Sequence, residues 1–209
     1  MKKIFFYILT FIILLTACTP AGTTTPTVGT VLQPTMTVES PSVKTNEPME
    51  ETGTAEEMTI SSPAFEYGQK VDIKYTCDNG DVGVSPELNI SGVPAAARSL
   101  ALIVEDPDAP IGVFYHWVLY NIPPALNNLP ESMITDPHVP GIGVQGMSSF
   151  NTTGYGGPCP PFGMSHRYFF RLYALDLDLT LPPDLDAAAL LEKMDGHVLA
   201  QAEWMGKYK

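Results

Sequence analysis

Residues 58–209 predict an all-β sandwich, and three observations carry that reading. Short runs rich in β-branched and aromatic residues recur along the segment, clusters of Gly, Pro and Asn separate them, and helical end signals surround a single stretch. The segment is also long enough for one domain with a full core, since chains near this size bury roughly two thirds of their unfolded surface.

The strand-like runs fall at 71–76, 88–91, 99–105, 115–122, 168–175 and 198–208. One helix is predicted over 186–194, where Asp186 can cap the first turn and Gly196 lies just past the end. No internal repeat interrupts this order.

The residues before 58 are of a different kind. Lys2 and Lys3 precede an apolar run at 4–15, which ends in Leu15-Thr16-Ala17-Cys18. That is the layout of a secretory signal, and the run is shorter than the roughly 20 residues a membrane span needs. The ending resembles a bacterial lipobox, which implies a signal peptide at 1–17, cleavage before Cys18 and a lipid on that cysteine. The domain is then expected outside the cytoplasm, held to the cell envelope membrane by its anchor.

Residues 18–57 are rich in Thr, Pro and Glu, with few apolar side chains and no periodicity. Such a segment cannot bury enough surface to offset its ordering entropy, and its prolines favour extended conformations, so a semi-rigid tether is expected.

The whole chain has 23 acidic and 11 basic residues, and 58–209 alone has 17 against 8. An excess of negative charge makes nucleic acid an improbable partner.

Two stretches concentrate the chemistry. Asp106-Pro107-Asp108-Ala109-Pro110 is followed by His116, and Gly157-Pro158-Cys159-Pro160-Pro161 is followed by His166-Arg167-Tyr168. Proline fixes φ and glycine permits unusual backbone angles, so these turns can wall a stiff pocket into which Asp106, His116, His166 and Tyr168 converge. In an acidic domain, positive compensation for an anion must be local, from the two histidines, the Tyr168 hydroxyl and N–H groups near Gly157 and Pro158. Arg167, next to His166 on a strand, points to the opposite face and is expected to pair with an acid of the Asp-Pro-Asp turn. Asp108 is expected to brace that turn.

Together with Tyr75-Thr76-Cys77-Asp78, Ser85-Pro86, Ser99-Leu100-Ala101-Leu102, His116-Trp117-Val118 and His197-Val198-Leu199-Ala200, these stretches resemble the phosphatidylethanolamine-binding protein family, which includes the Raf kinase inhibitor proteins. The resemblance runs from about residue 59 to 209, and the motifs stand in family order. It implies a large antiparallel sheet packed on a smaller one, with short helices, as in the bacterial and archaeal branch. It also implies ligand binding by Asp106, His116, His166 and Tyr168, with Pro158 and Pro160 as wall residues. Phe114, on the His116 face, stands where many relatives carry tryptophan and is expected to keep an aromatic edge. Mammalian relatives cover the pocket edge with a C-terminal helix; here the last predicted strand is followed directly by Lys209, so a more open site, or one covered by a homodimer partner, is expected.

The functional expectation is a non-enzymatic binder of small anionic or phosphorylated ligands such as phospholipid headgroups. No Gly-x-Ser-x-Gly elbow, metal-ligand cluster or cofactor motif is present, and Ser165 should face away from His166. The alternative is an interaction module acting as a protease inhibitor or signalling modulator, with the Gly- and Pro-rich loop at 130–153 as its variable surface. With Cys18 committed to lipid, Cys77 and Cys159 remain for one disulfide in an oxidising compartment, against the reading of two separate buried thiols.

Overall fold

A computed structural model describes residues 57–80 and 82–209; the expected signal sequence, Cys18 and all of the expected tether except Glu57 lie outside the described residues. In chain order the elements are β1 (Thr59–Ser61), β2 (Leu88–Ser91), β3 (Ser99–Asp106), β4 (Phe114–Ile122), β5 (Asn128–Leu129), β6 (His138–Val139), β7 (Gly143–Gln145), β8 (His166–Leu175), α1 (Ala187–Met194) and β9 (Val198–Tyr208). They form two sheets, a small one ordered β1-β2-β5 and a large one ordered β6-β7-β4-β3-β8-β9. Every pairing in both is antiparallel. This is the expected all-β fold of one large and one small sheet.

β3 shows why the centre of the large sheet reads as a nearly unbroken apolar run. Leu100, Leu102 and Val104 belong to the core between the sheets. Ala101 and Ile103 face the other way, into a second core under α1 with Val118, Tyr120, Leu190 and Met194. Both faces of the strand are covered, so strict apolar–polar alternation is lost. The helix follows its sequence signals: the Asp186 carboxylate accepts from the Ala189 amide at 2.8 Å, and Gly196 adopts a φ of 76° just past the end.

The expected strand at 71–76 does not form. Its residues make a 3-10 turn at Ile73–Tyr75, followed by another at Cys77–Asn79. Local side chains win over sheet pairing here: Asp72 Oδ1 accepts from the Lys74 amide at 2.9 Å, and the Thr76 hydroxyl donates to the Ile73 carbonyl at 2.9 Å. The four very short strands β1, β5, β6 and β7 carry too few residues to show a period of two, and sequence patterning does not reveal them.

One irregularity places the site. Along β3 and β4, Val104 pairs with Trp117 but Glu105 pairs with Tyr115, so His116 is the extra residue of a β-bulge. The bulge sits at the end of the sheet where β3 runs into the Asp106 turn. There it re-aims a side chain that a regular ladder would place differently.

Candidate functional site

Three strand ends meet at this edge. Asp106 closes β3, His116 bulges from β4 and His166 opens β8, and all three are buried. His166 Nδ1 hydrogen-bonds Asp106 Oδ2 at 2.7 Å, while Asp106 Oδ1 accepts from the Asp108 amide at 2.9 Å. The carboxylate thus uses one oxygen to shape its own turn and the other to orient an imidazole. His116 is held from the opposite side. Its Nδ1 donates to the Gly156 carbonyl at 2.8 Å, and its own carbonyl accepts from the Gly156 amide at 2.9 Å, so the bulge's backbone is satisfied by the neighbouring loop.

Because a carbonyl only accepts, Nδ1 of His116 carries the proton, and in the neutral ring Nε2 is an acceptor. Burial pushes the His116 pKa below its ordinary 6.5, against the opposing pull of the Gly156 carbonyl and the Asp106 charge. At neutral pH the ring is therefore uncharged. An anion can engage it by bringing its own proton or by drawing one onto Nε2.

Between the two histidines lies a cavity of about 210 Å³, lined by Asp106, Ala109, Pro110, Ile111, Phe114, His116, Phe150, Cys159, Pro161 and His166. Its walls are mostly apolar, with the imidazoles and the Asp106 carboxylate as the polar groups. Phe114 packs on His116 with ring centroids 5.2 Å apart, giving the expected aromatic edge. Outside the cavity, Arg167 makes a bidentate pair with Asp108, with Nε to Oδ2 at 2.8 Å and Nη2 to Oδ1 at 2.7 Å. This partner holds the Asp108 carboxyl down to about 2.

The sequence of a second turn fixes the far wall. Cys159 is joined to Cys77 with an S–S distance of 2.11 Å and a Cα–Cα distance of 5.4 Å. The Cys77 amide donates to the Pro158 carbonyl, and the Tyr155 hydroxyl donates to the Tyr75 carbonyl at 2.9 Å. A Cβ on Gly157 would stand 2.7 Å from the Tyr75 carbonyl oxygen. Only glycine lets these two backbones approach so closely.

A sequence profile described as phosphatidylethanolamine-binding protein matches residues 61–209. The chain belongs to the phosphatidylethanolamine-binding protein family. It is 47% identical over 152 residues to a UPF0098 protein of Methanothermobacter thermautotrophicus, covering 73% of this chain and 99% of the relative. A UPF0098 protein of Aquifex aeolicus is 45% identical over 154 residues, covering 73% and 88%. Among solved structures, a Chlamydia trachomatis homologue of phosphatidylethanolamine-binding protein superposes with a TM-score of 0.66 at 43% identity, covering 73% of this chain and 97% of that one. Escherichia coli YbcL, described as a new member of the mammalian family, gives 0.67 at 31% identity, covering 73% and 98%.

Of the residues this phosphatidylethanolamine-binding protein fold was expected to gather, Asp106, Phe114, His116 and His166 line the cavity. Tyr168 does not. It lies two residues inward from His166 on the same strand face, fully buried, with its ring 5.1 Å from that of His116. Its hydroxyl has no hydrogen-bond partner of normal geometry. Burial first, and the Asp106 charge second, keep the phenol protonated far above its ordinary range.

Pro158 and Pro160 are likewise outside the lining, where Cys159 and Pro161 stand instead. The two expected prolines are buried, whereas Cys159 is exposed and half-buried Pro161 opens a 3-10 turn at Pro161–Gly163. The backbone donors expected near Gly157 are also committed, the Gly156 amide to His116 and the Gly157 amide to the Val82 carbonyl. His138 and His197 lie outside the cavity, and His197 pairs with Asp176 at 2.8 Å. The Asp-Pro-Asp-Ala-Pro turn supplies Ala109 and Pro110 to the wall, as expected of it; sequence reasoning missed Ile111, which directly follows that turn, and Phe150, which arrives from the 130–153 segment.

Proposed function

We propose that this domain binds small anionic or phosphate-bearing ligands, phospholipid headgroups among them, without transforming them. The observation that carries the reading is a pair of buried imidazoles, each oriented through Nδ1, opening on one small cavity. A protonated imidazole gives a charge-assisted hydrogen bond that an overall acidic domain otherwise lacks near this site. Binding rather than catalysis is favoured by the lining: the sulfur of Cys159 is committed to a disulfide, and no hydroxyl or amine nucleophile lines the wall among the described residues.

Calorimetry with sulfate, whose charge is constant across the histidine range, tests the site without titration of the ligand. At pH 5.5, His116→Ala and His166→Ala are each expected to weaken binding about 10- to 100-fold, since a hydrogen bond to a charged group is worth roughly 1.5–3 kcal/mol. In the wild type, affinity should fall as pH rises. If the anion requires a proton on His116, loss begins above that residue's lowered pKa and approaches about tenfold per pH unit. The Asp108–Arg167 pair does not confuse the profile. A carboxyl lowered from 3.8 to about 2 stabilises the turn above 3.8 and loses that contribution only as pH falls through about 2. Equal binding by all three proteins would place the site elsewhere.

The same proposal puts the domain outside the cytoplasm on a lipid at Cys18. The signal-like start supports it, and a Cys77–Cys159 bridge suits an oxidising compartment. Mass spectrometry of the mature protein should find an N-terminal, acylated Cys18; an unmodified Cys18 inside an intact leader would refute the anchor.

A further inference from the structure

We propose that the Cys77–Cys159 bridge is a modification site at which a small thiol attacks Cys159 Sγ, and that the mixed disulfide so formed closes the histidine cavity. The first half stands on the placement of the bridge alone. The second rests on the anion-binding reading above and adds a form of regulation to it.

The two ends of the bridge are not equally open. Cys159 is exposed, whereas Cys77 is half-buried in its 3-10 turn. Direction matters as much as exposure, because exchange is a displacement in which a thiolate enters at one sulfur while the other sulfur leaves from the opposite side. Attack on Cys159 therefore needs free space on its side away from Cys77. The histidine cavity is such a space, since Cys159 lines it and Cys77 does not. The neighbouring cavity of about 460 Å³ is lined by both cysteines, so it lies alongside the bond rather than at one end of it.

A thiolate entering from the histidine cavity forms a new S–S bond to Cys159. The bond to Cys77 breaks, and Cys77 Sγ leaves with the electron pair and takes up a proton. One disulfide replaces another, so no further oxidant or reductant is consumed. The substituent of the thiol is left on the cavity side of Cys159, in the space that Phe114, His116 and His166 also line. That is where an anion would otherwise sit.

Opening the bridge does not take the wall apart. The Cys77 amide still donates to the Pro158 carbonyl at 3.2 Å, the Gly157 amide to the Val82 carbonyl at 2.6 Å, and the Tyr155 hydroxyl to the Tyr75 carbonyl at 2.9 Å. Cys77 is thus kept beside Cys159 at a high effective concentration, where it can attack the mixed disulfide in turn and expel the thiol. The modification is reversible.

Peptide mapping of folded wild-type protein, treated briefly with the neutral thiol 2-mercaptoethanol and quenched with N-ethylmaleimide, tests the point of attack. The mercaptoethanol adduct is expected on Cys159 and the maleimide on Cys77, in about tenfold excess over the reverse pattern. An even or reversed distribution would overturn the proposal, and so would a bridge that exchanges only in urea. Closure is read on Cys77→Ser, whose Cys159 is converted to the same adduct with bis(2-hydroxyethyl) disulfide, by titrating sulfate before and after. Affinity should fall about tenfold or more, as for loss of a hydrogen bond to a charged group, and return when dithiothreitol removes the adduct. The same conversion in Cys159→Ser puts the adduct on Cys77 and should change affinity by less than about twofold, since Cys77 does not line the histidine cavity. Equal loss from either adduct, or none from the Cys159 adduct, would overturn the closure and leave the anion reading standing. Failure of wild-type protein to bind sulfate would overturn the anion reading and the closure with it, while the mapping decides the point of attack by itself.

Discussion

Replacing Cys77 and Cys159 together with serine is expected to destabilise the domain by about 4.5 kcal/mol, the value of the chain-entropy relation for a loop closed by this bridge. The two cysteines are 82 residues apart, and the loop between them contains β2 through β7. The stabilisation acts mainly on the unfolded chain, which loses freedom when its ends are joined. For a domain of this size each kcal/mol corresponds to roughly 2–4 °C, so the melting temperature should fall by about 9–18 °C. Urea unfolding of oxidised protein, reduced protein and the double serine variant measures it. A difference below about 1 kcal/mol between oxidised and reduced forms would mean that the bridge constrains little. Anion affinity should fall in parallel, because Cys159 holds one wall of the histidine cavity in place.

The second large effect is expected at Asp106. Its side chain is 4% exposed, and both oxygens are used, one by His166 and one by the Asp108 amide. Asp106→Ala removes two hydrogen bonds to a carboxylate and leaves the buried His166 Nδ1 and the part-buried Asp108 amide without these partners. At roughly 1.5–3 kcal/mol for each such bond, the loss should be about 3–6 kcal/mol. Asp106→Asn keeps one acceptor and should cost clearly less. Anion binding separates orientation from simple stability: in Asp106→Asn, studied at a temperature where the protein is fully folded, affinity should still drop, because His166 has lost the partner that fixes its ring. Wild-type affinity in a folded Asp106→Asn protein would show that His166 needs no such orientation.

Much of the fold was legible because its long strands carry enough residues for composition and turn punctuation to speak. β2, β3, β4, β8 and β9 were all foreseen within two residues, and so was α1 with its Asp186 cap. The failure at 71–76 has a local cause. Ile73, Tyr75 and Thr76 have strand-like composition, but Asp72 and Thr76 bind nearby backbone groups and turn the chain into 3-10 geometry. Composition cannot weigh those two short hydrogen bonds against a sheet partner that is distant in sequence.

The site divides along the same line. Asp106, His116, His166 and the Asp-Pro-Asp turn could be singled out from residue type, spacing and family order, because rigid turns beside strand-borne histidines are local features. The Arg167 pairing with Asp108 also followed from strand alternation. What the tertiary structure decided was which way each group faces. The bulge at His116, the inward turn of Pro158 and Pro160, the burial of Tyr168 behind the imidazoles and the arrival of Phe150 beside the cavity all depend on contacts between separate strands and loops, such as those of His116 with Gly156, Phe150 and Tyr168. Sequence fixes such contacts only through the packing of the whole domain. A period of two can assign a side chain to a face, but it cannot say where a bulge shifts the register or which loop comes to lie against that face.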